Sequence, residues 1–170
     1  MKGGKFVGLF ILVCFVLASV YYIYLGGVSA ISFNDIYVKN FSFVSSPELT
    51  EYKKIDLELN SFDDFLENSE VESYRYIWFF DDSEELVSSG VVLDRVMIEK
   101  VDFSVYSEDV LGGKDYYVVE FPYKNKFSFL VANLRINSIL EKESYRRGIE
   151  LKREFLVRDL LDEKLIYYFS

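Results

Sequence analysis

Twenty consecutive residues near the N-terminus, Phe6–Leu25, carry no charge. At a rise of about 1.5 Å per residue they would form a helix of about 30 Å, the thickness of the hydrocarbon core of a bilayer. Lys2 and Lys5 precede this run, and three tyrosines lie at its far end: Tyr21, Tyr22 and Tyr24. Basic residues stay on the cytoplasmic side, and tyrosines favour the membrane interface. The pattern predicts a single-pass helix in the cell membrane over residues 6–25, with residues 1–5 in the cytoplasm and the rest outside.

A cleavable signal peptide is the alternative for the same segment. Lys2 and Lys5 would supply its basic region, and Val28-Ser29-Ala30 offers small residues for cleavage near Ala30, after which the body would be secreted. The apolar run is longer than the usual signal core of about 7–15 residues, and its aromatic end is typical of an interfacial belt. We therefore favour a retained anchor.

Cys14, the one cysteine of the chain, raises a third alternative, a lipoprotein. Lipid attachment would need a small residue before the cysteine, whereas Val13 stands there. We expect Cys14 to be an ordinary apolar residue of the helix that faces lipid or protein.

Beyond residue 30, apolar and polar positions alternate in several short segments, as in β-strands with one buried face. Ile55–Asn60 and Phe41–Val44 follow this period. Ser73–Phe80 is aromatic at one parity and carries Ile77 and Phe79 at the other, which predicts a central strand covered on both faces.

The C-terminal half gives further strand signals. Residues 115–121 and 126–136 flank the sequence PYKN, and we expect a hairpin about this turn, reached through the glycine-rich connection at 110–115. The alternation slips across Glu99-Lys100, which predicts a bulge or tight turn. The tail 149–169 fits strand, turn, strand, although helical spacing fits it almost as well.

Helix signals are fewer. Residues 61–70 begin with Ser61, a suitable N-cap, and place apolar side chains on one side. Residues 138–147 have Ser138 and Glu141 at capping-box spacing, followed by Gly148 as a stop.

Together these segments predict a mainly β, sandwich-like exported domain with one or two short helices, preceded by the transmembrane helix. The domain covers residues 26–170, and residues 138–170 are a candidate α/β C-terminal extension. Roughly 140 residues are enough for one domain with its own core.

The charge and cysteine content argue against some classes of function. All 28 acidic residues but only 17 of the 19 basic ones follow the apolar run, which gives that part a net charge of −11. This charge argues against binding nucleic acid or an anionic membrane surface, since both require clustered Lys and Arg. The exported part has no cysteine, so its stability must come from its core and not from disulfides.

The chain has no histidine, which excludes histidine-based catalysis and histidine-ligated metals. Among groups that could carry out chemistry, carboxylates remain. One cluster could bind Ca²⁺, although a charged loop would also contain it: Asp81, Asp82, Glu84 and Glu85. A second could serve a hydrolase, although it would also suit a helix N-terminus: Asp63, Asp64 and Glu67. Trp78 could stack on a ligand, but we expect it in the core. We assign no catalytic, cofactor-binding or metal-ligating residue and expect no cofactor.

These features favour a membrane-anchored structural or protein-interaction domain that is not an enzyme. It would contact the bilayer through residues 6–25 and bind an envelope or surface protein. The alternatives are a carboxylate-dependent glycan or peptide hydrolase, a small-ligand or Ca²⁺-binding module, and a pilin-like surface subunit. A pilin-like helix usually carries an acidic residue early in its apolar run, and none stands there.

Overall fold

The computed structural model describes residues 3–45, 75–80, 86–93, 98–99, 101 and 107–170. Several predictions, the strand at 55–60, the helix at 61–70 and both acidic clusters, lie outside these ranges. The elements in chain order are α1 (Gly3–Tyr24), β1 (Asn34–Val38), β2 (Phe41–Ser45), β3 (Arg75–Phe80), β4 (Leu86–Val92), β5 (Ser107–Leu111), β6 (Lys114–Pro122), α2 (Phe127–Arg147), β7 (Arg153–Asp159) and β8 (Lys164–Phe169).

The strands in the described ranges form one antiparallel sheet in the order β1-β6-β8-β7-β3-β4-β2-β5. The mainly β prediction is confirmed. The sandwich is not confirmed, because these strands hydrogen-bond into a single sheet with a helix on one face. The predicted strands at 41–44, 73–80 and 115–121 correspond to β2, β3 and β6. β3 lies inside the sheet and is covered on both faces, as expected.

Aromatic side chains draw the sheet into a half-barrel. The rings of Phe41 on β2 and Phe155 on β7 are 6.2 Å apart, although β4 and β3 lie between those strands. In a flat sheet three strand spacings would measure about 14 Å. Phe155 also stacks on Tyr168 at 4.1 Å and meets Tyr116 edge-on at 5.2 Å. The sheet therefore curls toward this face, and the concave side is filled by rings.

Helix α2 covers the other face of the sheet. Its buried side chains include Val131, Ala132, Ile136 and Leu140, which recur at helical spacing. They join a second cluster that includes Trp78, whose ring meets Phe129 of α2 edge-on at 5.6 Å. Trp78 is 4% exposed, so the prediction that it belongs to the core, between two layers, is confirmed.

The predicted hairpin was wrong, because residues 127–136 begin α2. The first turn is held by Asn125, whose Oδ1 accepts the Phe127 amide at 3.0 Å. The predicted capping box was also wrong: Ser138 lies mid-helix and donates its hydroxyl to the Arg135 carbonyl at 3.2 Å. The predicted stop is confirmed, since Gly148 ends the helix in the left-handed conformation with φ of 69°.

The tail forms strand, turn, strand, as predicted. β7 and β8 pair with each other and lie in the middle of the sheet, so segment 138–170 supplies the end of α2 and two inner strands. At Glu99, the amide of Val101 donates to the carbonyl of Ile98 at 3.0 Å, in agreement with a tight turn.

The turn between β7 and β8 is closed by a buried carboxylate. Asp159 accepts hydrogen bonds from Arg75 Nε at 2.7 Å and from the amides of Leu161 and Asp162 at 3.0 and 3.1 Å. Burial alone would raise the pKa of Asp159, but these donors outweigh burial and hold the pKa below its usual value.

We expect Trp78→Ala to lower the free energy of unfolding by about 3–5 kcal/mol, because it removes a large buried ring between sheet and helix. Thermal unfolding followed by circular dichroism measures the loss. Tyr145→Ala is the matched control, since Tyr145 is 91% exposed and should be silent. Equal, small effects of the two substitutions would contradict the assignment.

We expect Asp159→Asn to lower the free energy of unfolding at neutral pH. We also expect this free energy to fall less in acid for the variant than for the wild type. A carboxylate with a lowered pKa stabilises the fold above its unfolded pKa of about 4, and this contribution disappears as pH falls through the folded pKa. The difference in unfolding free energy between wild type and variant should therefore shrink below about pH 4. Asp162→Asn, at an exposed neighbour, is the control. A difference that stays constant with pH would refute this role of Asp159.

Candidate functional site

Helix α1 is apolar from Val7 onward and almost entirely exposed. No residue from Val7 to Tyr24 is buried, and Phe10 and Phe15 are each 70% exposed. Cys14 is also exposed on this helix. The helix is long and apolar enough to cross a membrane, a property that signal sequences share.

The segment directly after α1, Leu25–Ser29, is buried at its first three residues and exposed at Val28; we call it the junction. Leu25 is only 3% exposed and belongs to the cluster between sheet and α2. Backbone hydrogen bonds close the turn: Gly26 donates to Ile23, Gly27 to Tyr22, and Ser29 to Gly26, at 2.9–3.0 Å. The junction is thus a hydrogen-bonded turn with a core residue at its start.

Both glycines of the junction are required by the space around them. Gly26 has φ of 91°, and a Cβ there would lie 2.5 Å from Pro122 Cγ. A Cβ on Gly27 would lie 2.2 Å from the ring of Tyr22. A larger residue at Gly26 would therefore be strained and would press on Pro122 of the body, whereas one at Gly27 would displace the ring of Tyr22 on α1.

Arg135 of α2 forms hydrogen bonds with the junction. Its Nη1 donates to the carbonyl oxygens of Gly26 at 2.9 Å and Ser29 at 2.6 Å. Since a guanidinium is always charged, these are charge-assisted hydrogen bonds in a partly buried place. They satisfy two carbonyls that lie beyond the end of α1.

Tyr21 joins the last turn of α1 to the start of α2. The side-chain amide of Asn125 donates to its hydroxyl at 3.2 Å, and the ring of Phe127 meets its ring edge-on at 6.3 Å. The junction therefore holds α1 from two sides, by Arg135 and by this pair.

An open cleft of about 510 Å³ lies beside the junction, between residues 29–34 and the ends of β6 and β8. Four of its charged side chains form two ion pairs: Lys164 lies 2.8 Å from Glu120, and Lys124 bonds Glu163. Hydrogen bonds to these partners raise the pKa of both lysines. These two carboxylates are neutralised by lysines, an arrangement that suits structure better than acid–base catalysis.

Two arginines of β7 lie on the α2 side of the sheet. Arg153 is buried, donates to Asn137 Oδ1 at 3.0 Å and lies 5.1 Å from the ring of Tyr167. Arg158 lies 4.4 Å from the ring of Tyr123. Burial raises the pKa of Tyr167. Arg153 thus joins the sheet to α2 through Asn137, and Arg158 packs on ring faces of the body beside it.

The residues that the sequence singled out do not converge on a site. Trp78 is core, so its ligand-stacking alternative is wrong. Both acidic clusters lie outside the described ranges. Within those ranges, no group of three His, Cys, Asp or Glu side chains is placed to hold a metal ion.

Sequence reasoning missed the junction as a structural unit. The Gly-Gly pair after the apolar run was its only local signal, because Arg135 lies 109 residues away from Gly26 in the chain.

No protein-family model and no curated protein matches this sequence. Two solved structures from Listeria innocua are similar to it. One is described as a hydrolase, with 14% identity, a TM-score of 0.45, and coverage of 81% of this chain and 90% of that one. The other is described as an uncharacterized conserved protein, with 11% identity, a TM-score of 0.44, and coverage of 82% and 91%. Likenesses this distant say nothing about the chemistry of this chain.

We expect Arg135→Met to loosen the junction, because it keeps a long side chain but removes the charged donor that the carbonyls of Gly26 and Ser29 share. Hydrogen bonds to charged groups are worth about 1.5–3 kcal/mol. Limited proteolysis should then cut the full chain faster between residues 25 and 30. Arg146→Met is the matched control, since Arg146 is exposed and pairs with Glu143 on the same helix. Equal cleavage rates for both variants would contradict the role of Arg135.

Proposed function

We propose that the protein is a single-pass membrane protein in which α1 is a retained anchor and the β-rich body is a structural or protein-interaction domain outside the cell. The observation that carries this proposal is the packing of Leu25–Ser29 into the body.

Removal of α1 near Ala30 would take this segment away. The core would lose Leu25, and Arg135 would lose both of its carbonyl partners, at Gly26 and Ser29. A cavity in a core is costly, and the guanidinium would exchange two fixed carbonyl partners for water. These costs favour a chain that keeps its N-terminal helix.

The surface of α1 supports the same proposal. A helix that is apolar from Val7 onward and is contacted by the body only at its last turn would aggregate in water, whereas a bilayer covers it. Lys2 and Lys5 precede the apolar run, so the positive-inside rule keeps that end in the cytoplasm. The body then lies outside.

An interaction role for the body is supported by β1. This strand is at one edge of the sheet, and its Ile36 and Tyr37 are 43% and 60% exposed. Edge strands offer backbone groups to a partner strand, and exposed apolar side chains beside them add contact area. We propose an envelope or surface protein as the partner.

The hydrolase and Ca²⁺-binding alternatives rest on acidic clusters outside the described ranges. No described contact favours them. The pilin-like alternative, in which α1 would pack against copies of itself, likewise has no described contact behind it.

We expect the protein to be found in the membrane fraction with α1 still attached. Intact mass spectrometry of protein extracted from its own membranes should give the mass of a chain that includes residues 6–30. Protease added to spheroplasts should digest the body but leave α1 protected. A soluble species that begins at Ile31 would contradict the anchor and favour the signal peptide.

We expect a photo-crosslinking amino acid at Tyr37 to form adducts with another protein in intact cells. The same amino acid at Tyr145, which is exposed on α2, is the matched control. If adducts form equally at both positions, or at neither, β1 is not the interaction edge.

A further inference from the structure

Three apolar side chains on one face of α2 are exposed. Phe127, Leu130 and Leu134 are 49%, 59% and 64% exposed, and their spacing places them on one side of the helix. We call them the α2 face. Farther along the same side, Ser138 and Glu141 are exposed polar residues. The apolar part is therefore confined to the half of α2 nearest the junction.

The α2 face begins at the end of α1. Phe127 contacts the ring of Tyr21, which lies three residues before the last residue of α1. Three residues of helix correspond to about 4.5 Å along its axis. If α1 spans the bilayer, the start of α2 therefore lies at the depth where tyrosines and lipid headgroups meet.

We infer that the α2 face inserts into the interfacial layer of the same membrane that α1 spans. This inference rests on the proposed function, since it requires a retained anchor. Aromatic and leucine side chains on one face of a helix are the groups by which helices lie in a membrane interface. The body would then be held to the bilayer at two places, α1 and the first two turns of α2.

The acidic charge of the body does not oppose this contact. The α2 face is apolar, so it needs no attraction to anionic lipid. Lys124, beside this face, already bonds Glu163 of the body, so the contact depends on the apolar side chains alone. The same insertion is therefore expected in vesicles of neutral phosphatidylcholine.

A fluorescent probe can measure what covers the α2 face in the full chain. An environment-sensitive dye is attached to single cysteines in a Cys14→Ser background, in Leu130→Cys and Leu134→Cys. Glu141→Cys on the same helix is the matched control, and Val16→Cys reports on α1. Each variant is reconstituted in phosphatidylcholine vesicles and quenched with iodide from water or with lipids spin-labelled near the headgroup.

We expect the dyes at Leu130 and Leu134 to emit at shorter wavelength than the dye at Glu141. Their quenching by iodide should be several-fold weaker and their quenching by the spin-labelled lipid several-fold stronger. Quenching by iodide equal to that at Glu141, with Val16 still shielded, would overturn the inference and leave the anchor intact.

Two other outcomes separate the remaining explanations. Shielding from iodide without quenching by the spin-labelled lipid would mean that protein, such as a second copy of this chain, covers the α2 face, and it would overturn the inference. Free access of iodide to the dye at Val16 would overturn the proposed function, and this inference with it.

Discussion

Arg135 holds the carbonyls of Gly26 and Ser29, and this contact determines how the body is attached to its apolar helix. Leu25, the residue directly after α1, packs into the core at the same place. The helix is therefore joined to the body by apolar packing as well as by hydrogen bonds. A flexible linker would let the body turn freely relative to α1. A packed turn with two glycines gives the body one orientation relative to α1, as the proposed contact of β1 with a partner requires.

The sheet supplies the rigidity that this attachment needs. Its concave face is filled by rings around Phe155, and its other face is covered by α2. Because α2 packs on Trp78 and also carries Arg135, any movement of the helix would disturb both the core and the junction. Helix α2 therefore links the core to the junction and, through it, to α1.

The sequence predicted the parts of the fold that depend on local periodicity. Alternation marked β2, β3 and the paired strands of the tail, because a period of two is visible in a few residues. It could not mark the start of α2: Phe127, Phe129 and Val131 alternate like a strand. Only the burial of Val131, Ala132 and Ile136 against the sheet decides for a helix, and this contact involves distant strands. The order of the strands is set by contacts between distant segments, so a sandwich was expected where one curled sheet is found. The junction was missed for the same reason, since Arg135 and Gly26 are far apart in the chain.

Hydrogen–deuterium exchange of the full chain in lipid nanodiscs tests most directly whether the junction is packed. The amides of Leu25, Gly26, Gly27 and Ser29 all donate to backbone carbonyls. If the junction is rigid, peptides covering residues 25–30 should exchange about as slowly as peptides from the inner strands β7 and β8. Exchange within seconds, as in an exposed linker, would show that the junction is flexible and would contradict its packing against the body.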